Sequence, residues 1–560
     1  MDWKLSSILA SIITLVSTTL VVKLLNWVWF RPKKLEKLLR KQGLSGNPYR
    51  LFLGDMQDFG NVMKTEQPKT LKLSDDLPPH ILPYYHNIIH KYGKLSFVWF
   101  GPSPRVNVAD PELIKEILSK PGLFHKPLPD PIGETIVGGL LFLEGDKWAK
   151  HRKIINQAFH MEKLKNMIPA MFLSCSKMIE KWEASISSCG SSQEIDVWPS
   201  LEDLSGDVIS RTAFGSSYEE GRRIFELQKE QVKLVLHLLQ FSFIPGWRYF
   251  PTNANRRLRE ITKQIESLLR GIINQRGKAM ERADGEIIRN DLLGILMESN
   301  FREIQQHGNK NVGLSIEDVI EECKLFYFAG KETTSNLLVW TMVLLSKHQD
   351  WQARAREEVL QVFGKKQPTF DGLHQLKITQ KPMNSFIPSK NLEQDPTWAK
   401  HAALTMTCKS PGITTLYMQV TMIFQEVLRL YPPAPLIIRA PTKTVQLGST
   451  IIPVGVQLTL LIGLLHHDPD IWGNDVKEFK PERFSEGISS ATKTQYSFIP
   501  FSSGPRVCVG QNFAMIEAKM ALAMILQHFS FELSSSYLHA PFPIMTLQPQ
   551  YGAPLIVRKL

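Results

Sequence analysis

The stretch FSSGPRVCVG, residues 501–510, decides how the rest of the sequence is interpreted. It holds one cysteine, Cys508, with no second cysteine nearby. Gly504 and Gly510 permit a positive φ and the close approach of a flat ligand to the backbone. The residues that follow, QNFAMIEAKMALAMILQH (511–528), favour a helix. The amides and dipole at its N-terminus would stabilise a thiolate at Cys508.

Three interpretations of Cys508 remain open on these residues alone. A buried structural cysteine is the commonest fate of a lone cysteine. A nucleophile would need a histidine partner, which the sequence does not place. The third interpretation is a metal thiolate: one thiolate cannot complete a zinc site, but it is enough as the single protein ligand of a haem iron.

Composition and charge narrow the classes of partner. The chain has 560 residues, of which 43% are hydrophobic and 21% charged, so a sizeable globular core is available. The five cysteines are scattered, which predicts a reducing compartment for the bulk of the protein. The net charge of +12 favours an acidic partner protein or an anionic membrane surface. Because the basic residues are spread along the chain, nucleic acid is not an expected partner.

The N-terminus predicts a membrane anchor. Residues 5–22 read LSSILASIITLVSTTLVV, and a helix over residues 5–30 is long enough to cross a bilayer. Trp27 and Trp29 would lie at the interface, followed by four basic residues, Arg31, Lys33, Lys34 and Lys37. A cleaved secretory signal would carry its basic residues before the apolar run. The positive-inside rule therefore predicts a single-pass protein with a lumenal N-terminus and a cytosolic body.

The body is predicted to be mainly helical with a small β region. Amphipathic periodicity appears over residues 162–186, 227–239 and 256–283. Ser315 and Asp318 resemble a capping box that opens a long apolar helix ending near His348. Short β-like runs, at residues 95–99, 106–109 and 456–462, indicate a small sheet.

Five motifs together resemble those of the cytochrome P-450 monooxygenases. Residues 501–510 match the family's haem-binding signature, and four more motifs follow the family's order: WAKHR (148–152), AGKETTS (329–335), EVLR (426–429) and PERF (481–484). The resemblance covers nearly the whole chain beyond the anchor. The stretches QGLSGNPYRLFLGD and LQPQYGAPLIVRKL are similar to the plant secologanin synthase-like, terpenoid-oxidising subfamily.

This resemblance implies a cytochrome P-450 fold behind the anchor of residues 5–30, with a basic, proline-containing N-terminal segment at 31–85 and a haem-thiolate domain at 86–560. Cys508 would be the axial ligand of the iron in haem b. The resemblance also implies haem-propionate ligands, namely Trp148, Arg152, Arg439 and Arg506, and a cofactor loop completed by Phe501, Gly504 and Gly510. Thr333 and Glu332 would relay protons, whereas Glu426, Arg429 and Arg483 would be structural.

The implied function is the hydroxylation or further oxidation of a lipophilic plant metabolite, a triterpenoid or an iridoid, with O2. Electrons would come from NADPH through a separate NADPH-cytochrome reductase, because the chain has no flavin or dinucleotide fingerprint. The expected location is the endoplasmic reticulum membrane. Within the family, an isomerase or lyase acting on peroxides is the alternative, but such relatives tend to lack a threonine equivalent to Thr333.

One segment departs from the family pattern. Residues 379–419 interrupt the chain between DGLHQLKI and VTMIFQEVLR, and they show no clear periodicity. An exposed loop, a functional insert and translated intron sequence are the three explanations, and the last is our preferred hypothesis. Because the segment would replace the first turn of the helix that carries Glu426 and Arg429, a catalytically silent membrane haem protein or scaffold is the alternative function.

Overall fold

The computed structural model describes residues 2–65, 71–73, 76–127, 135–216, 218–239, 241, 243–282, 291–298, 314–376, 419–492 and 494–560. Most of the predicted atypical segment, residues 379–418, lies outside these described residues.

A long N-terminal helical run combines the anchor with the first element of the body. Helix α1 (Asp2–Leu25) passes through a π-helical turn (Asn26–Phe30) into α2 (Arg31–Lys41). Pro32 has no N–H to bond the carbonyl of Val28, and the Tyr49 hydroxyl donates to that carbonyl instead, at 2.6 Å. In the described part of the chain this is the one helix long and apolar enough to cross a membrane. The predicted apolar helix is therefore present, and it continues past Pro32 to Lys41.

Helices form most of the body. Those from the N-terminal half are α3 (Met56–Thr65), α4 (Pro78–Ile81), α5 (Pro83–Tyr92), α6 (Pro111–Ser119), α7 (Gly145–Ala158), α8 (Met161–Cys189), α9 (Val197–Phe214), α10 (Tyr218–Leu239) and α11 (Asn253–Arg282). Those from the C-terminal half are α12 (Ile316–Lys347), α13 (Gln349–Phe363), α14 (Phe370–Gln375), α15 (Gln419–Leu430), α16 (Ile462–Leu465), α17 (Pro469–Trp472), α18 (Ile488–Ala491) and α19 (Gln511–His528). Residues 292–298 are also helical.

The strands form a small β region, as predicted. They are β1 (Ser45–Gly46), β2 (Leu95–Phe100), β3 (Ser103–Val108), β4 (Phe124–His125), β5 (Ser192–Asp196), β6 (Ile437–Pro441), β7 (Val445–Leu447), β8 (Thr450–Ile452), β9 (Gln457–Leu460), β10 (Phe529–Leu533), β11 (Pro541–Ile544), β12 (Thr546–Pro549) and β13 (Pro554–Lys559). The largest sheet has the order β1-β2-β3-β9-β6-β4. Its β6 strand carries Arg439, which is paired with Leu458 of β9.

Helix α12 runs through the core and positions the AGKETTS residues. Its N-terminus has the predicted capping box: the Asp318 N–H donates to Ser315 Oγ at 3.0 Å, and the Ser315 N–H donates to the Asp318 carboxylate at 3.2 Å. The helix crosses α9 closely at Gly330, where an added Cβ would lie 2.7 Å from Ile209. Gly330 is therefore explained by helix packing against α9.

Helix α15 begins at Gln419, the last residue of the predicted insert. Its N-terminus is held by another helix, because the Val420 N–H donates to the buried Glu358 of α13 at 2.9 Å. The carbonyl of Leu376, just before the segment that is not described, accepts hydrogen bonds from Thr421 Oγ1 and from Lys519 Nζ. The start of α15 therefore lies close to Leu376, where the preceding described segment ends, and the first turn of α15 is intact.

Candidate functional site

The Cys508 loop is fixed by its own backbone at the start of α19. The Cys508 N–H donates to the Phe501 carbonyl at 3.0 Å, and the Val507 N–H donates to the Gly504 carbonyl at 3.0 Å. Gly504 has φ +71°, and an added Cβ would lie 2.4 Å from the carbonyl oxygen of Leu118. Only glycine fits there without backbone movement.

The backbone of Gly510 does not adopt the positive φ that glycine would permit in this loop. Its φ is −86° instead. An added Cβ would meet nothing nearer than 4.0 Å, where Cys508 Sγ and a Phe159 ring carbon lie. The protein therefore leaves the backbone of Gly510 uncovered beside the sulfur, and a flat ligand can approach it.

The surroundings of Cys508 shift the pKa of its thiol in opposite directions. Burial raises the pKa of its thiol, whereas the backbone N–H groups of Gly510 and Gln511 and the Arg152 guanidinium lower it. The side chain is nevertheless exposed and is not packed on all sides by protein. A cation and two amides near a sulfur that faces open space suit a thiolate ligand better than a structural cysteine.

Three predicted arginines and Trp148 lie together beside this loop. Arg152 Nη1 donates to the Val507 carbonyl at 2.7 Å. The Arg506 guanidinium lies over the Trp148 ring at 4.5 Å and contacts the Glu144 carboxylate. Arg439 is buried, and burial together with the Arg506 cation lowers its pKa to about 10. The structure therefore brings together the whole predicted propionate set.

Lys126 belongs to the same cluster, and sequence reasoning missed it. Burial and the cations of Arg439 and Arg506 lower the pKa of Lys126 to about 7, despite the opposing effect of Glu144. Its ammonium donates to the Leu141 carbonyl at 2.5 Å. Lys126 follows β4 in a stretch without a recognisable motif, and the pairing of β4 with β6 brings it to Arg439. No signal in the sequence alone indicates that contact.

The charge balance of this cluster fits a dicarboxylate ligand. Four cationic side chains, Lys126, Arg152, Arg439 and Arg506, influence one another, and Glu144 is the carboxylate that acts on three of them. Buried cations that repel one another need anionic partners. Two propionate carboxylates would supply the missing negative charge, and arginine and lysine are suitable donors to them. With the accessible sulfur and the uncovered Gly510 backbone, these residues fit haem.

Thr333 and Glu332 lie one turn beyond Ala329 on α12. Thr333 Oγ1 donates to the Ala329 carbonyl at 2.9 Å, a bond that threonine can make back along its own helix. Burial raises the pKa of Glu332, whereas the neighbouring Lys331 ammonium lowers it. The net effect raises the pKa of this carboxyl, and a shifted pKa of this kind is typical of functional sites.

Glu426, Arg429 and Arg483 form a buried cluster. Arg429 makes two hydrogen bonds to the Glu426 carboxylate, at 2.8 and 2.7 Å. Arg483 lies 3.6 Å from the same carboxylate and donates to Asp475 at 2.9 Å. Glu426 and Arg429 are fully buried and bond mainly to each other and to backbone carbonyls, which suits the structural role that the resemblance implies for them.

Comparison with known proteins agrees with this geometry. The family model described as "Cytochrome P450" matches residues 72–384 and 417–552, and the unmatched residues 385–416 fall inside the predicted insert. The chain is 52% identical over 538 residues to "Cytochrome P450 CYP72A219" of Panax ginseng, covering 96% of both chains. It is 50% identical over 550 residues to "7-deoxyloganic acid hydroxylase" of Catharanthus roseus, covering 97% of this chain and 98% of the relative. It is 49% identical over 560 residues to "Cytochrome P450 72A15" of Arabidopsis thaliana, covering 100% of both chains. The family match, the relatives and the thiolate-and-cation site agree, and the chain belongs to the cytochrome P450 family of haem-binding monooxygenases.

Proposed function

We propose that the protein hydroxylates or further oxidises a plant terpenoid, a triterpenoid or an iridoid, with O2 and with electrons from NADPH through a separate reductase. The observation that carries this proposal is the 50% identity, over nearly the whole chain, to a hydroxylase whose name specifies 7-deoxyloganic acid. The apolar N-terminal helix supports a lipophilic substrate that reaches the site from a membrane.

The residues of the chain have distinct roles in this proposal. Haem b, when bound, supplies the iron chemistry that activates dioxygen. Cys508 holds the iron from the start of α19, and Phe501 fixes the loop through its carbonyl. Trp148, Arg152, Arg439, Arg506 and Lys126 bind and orient the propionates. On α12, Glu332 would hold a proton at its carboxyl, and the Thr333 hydroxyl would help to relay it.

The location is part of the same proposal. The proposed location is the endoplasmic reticulum membrane; the apolar helix supports a membrane anchor, and the basic residues that follow it support a lumenal N-terminus and a cytosolic catalytic body. The net charge of +12 suits docking to an acidic NADPH-cytochrome reductase.

The silent-scaffold alternative rests on residues 379–419. The intact start of α15, the bond from Val420 to Glu358 and the complete Glu426–Arg429 pair favour an enzyme over a scaffold. We therefore propose that residues 379–418 form an insert that the catalytic body tolerates. Loop closure supports this proposal, because each doubling of loop length costs only about 0.6 kcal/mol.

The test is a reconstitution of the full chain in membranes with the reductase and NADPH, supplied with panels of triterpenoids and iridoids. We expect a hydroxylated or further oxidised product that requires NADPH, reductase and O2. A matched variant without residues 379–418, which keeps Gln419 in α15, should give the same product. If the shortened chain forms product and the full chain does not, the result would support the scaffold alternative for the full chain.

Three controls separate the parts of the proposal. Under carbon monoxide, the reduced protein should show the red-shifted Soret band of thiolate-ligated haem, and Cys508→Ala should lose it. Thr333→Ala should divert electrons into hydrogen peroxide while the Soret band remains. Conversion of a peroxide substrate without NADPH or O2 would instead identify an isomerase or lyase.

A further inference from the structure

A row of alternating charges connects the surface to Glu332. Lys331 of α12 donates to Glu202 of α9 at 2.8 Å and lies 3.5 Å from its neighbour Glu332. The other oxygen of Glu202 accepts from Lys229 of α10 at 3.4 Å. The side chains of Lys331 and Glu202 are 8% and 10% exposed, whereas that of Lys229 is 61% exposed. The row therefore leads from solvent, across the α9–α12 contact, to the candidate proton-relay residue.

The distances show which carboxylate Lys331 prefers. Its ammonium is within hydrogen-bond distance of Glu202 but is 0.7 Å farther from Glu332, as follows from the 2.8 and 3.5 Å separations. Glu202 therefore competes with Glu332 for the same cation. Glu332, whose side chain is 19% exposed, is left partly paired in a mostly enclosed position where a fully unpaired carboxylate would be costly.

We propose that Glu202 and Lys331 are positioning residues that keep Glu332 able to exchange a proton, with Lys229 as the solvent-exposed end of the same charge row. The inference rests on the proposed role of Glu332 and Thr333 in proton delivery. Each proton that leaves the Glu332 carboxyl is replaced by one from water, and no electron moves in the exchange.

The signs of the individual charges make the proposal testable. Within the described residues, the charged groups with the largest effects on Glu332 are Lys331 on its own helix, Glu202 on α9 and Lys229 on α10. The two ammonium groups lower the pKa of Glu332, and the Glu202 carboxylate raises it. Lys331→Met should therefore raise the pH at which Glu332 titrates, and Glu202→Gln should lower it.

A purely structural role predicts a different result. The Lys331–Glu202 pair connects α9 to α12, so either substitution alone would loosen the same contact. If loosening of that contact were the cause, the pH at which Glu332 titrates would shift in the same direction in both variants. Opposite shifts can arise only if the pair acts through its charge.

The experiment uses the full-chain holoenzyme with carbon monoxide as the probe. The C–O stretching frequency of its carbon monoxide complex is titrated with pH, because this frequency reports the electric field beside the ligand. In the wild type we expect one titration step, which Glu332→Gln removes. Lys331→Met should shift the step upward and Glu202→Gln downward, each by about one to two pH units, the usual effect of one nearby charge. Lys331→Arg should restore the wild-type position.

A surface variant keeps the test valid if buried substitutions prevent folding. Lys229→Met changes an exposed side chain and should shift the step upward by less than Lys331→Met does. Shifts in the same direction in both buried variants, no shift in any variant, or a step that persists in Glu332→Gln would overturn the inference. A normal coupling of electrons to product in Thr333→Ala would instead refute the proton-delivery role and leave the titration result standing.

Discussion

Replacing Arg429 by alanine should prevent the accumulation of haem-loaded protein. Arg429 and Glu426 are both fully buried and share two hydrogen bonds. Removing one partner of a buried pair costs about 3–5 kcal/mol, because the other charge stays buried. Arg429 also donates to three backbone carbonyls, of His466, Val476 and Glu478, and each lost bond adds about 1 kcal/mol.

The resulting loss is about 6–8 kcal/mol, which is comparable with the whole stability of about 5–15 kcal/mol that folded proteins have. The measurement is the amount of thiolate-ligated haem per amount of full-chain protein, from the carbon monoxide spectrum. The urea concentration at which this band is lost reports stability in any variant that does accumulate. We expect little or no red-shifted Soret band for Arg429→Ala.

An exposed ion pair supplies a matched control. Arg354 and Glu482 lie 3.2 Å apart, and the two side chains are 39% and 47% exposed. Exposed pairs contribute about 0–1 kcal/mol, so Arg354→Ala should have nearly wild-type haem content. The double variant Glu426→Gln/Arg429→Met should be less unstable than Arg429→Ala, because it leaves no buried charge without a partner. If Arg429→Ala resembles Arg354→Ala in haem content and urea midpoint, the reasoning from burial is wrong.

Two further predictions concern residues that no motif identified. Lys126→Met should release haem roughly 10–100-fold faster to excess apomyoglobin, because one charge-assisted contact of about 1.5–3 kcal/mol is lost; an unchanged rate would exclude Lys126 from the propionate set. Burial raises the pKa of Glu358 from 4.5 to about 7, so the native state binds this proton more tightly than the unfolded state does, and the free energy of unfolding falls as pH rises through that interval. The free energy of unfolding of Glu358→Gln, relative to that of the wild type, should therefore rise by about 3 kcal/mol between about pH 4.5 and pH 8, as urea midpoints measured at both pH values would show. If the difference between the two proteins is the same at both pH values, the raised pKa of Glu358 is contradicted.

The long helices could be predicted because their signals are local. The capping box at Ser315 and the helix-forming run after Gly510 predicted where α12 and α19 begin, and both helices start there. The N-terminal helix was predicted over residues 5–30, whereas the structure continues it through Pro32, a residue that removes a hydrogen bond from a helix. The helix continues because Tyr49, a residue distant in the chain, donates to the carbonyl that Pro32 leaves without a partner.

The propionate cluster could be predicted only where a motif carries it. Trp148 and Arg152 are one turn apart on α7, and Arg506 is in the cysteine loop, so spacing and family pattern indicated all three. Lys126 reaches the cluster through the pairing of β4 with β6, a contact between residues more than three hundred positions apart in the chain. Pairing of this kind depends on the assembled sheet, so a single basic residue beside a short strand gives no indication of it.

Residues 330–333 explain why one helix can serve both packing and chemistry. Gly330 lets α12 approach Ile209 of α9 closely, and the same approach brings Lys331 within 2.8 Å of Glu202. The carboxylate of the next residue, Glu332, lies 3.5 Å from the Lys331 ammonium, and Thr333 bonds back to Ala329. A side chain at 330 would separate the two helices and weaken the pair formed by Lys331, so Gly330→Ala should shift the titration of Glu332 in the same direction as Glu202→Gln. That shift would connect the helix packing to the proton chemistry, and its absence in a folded Gly330→Ala protein would show that the two are independent.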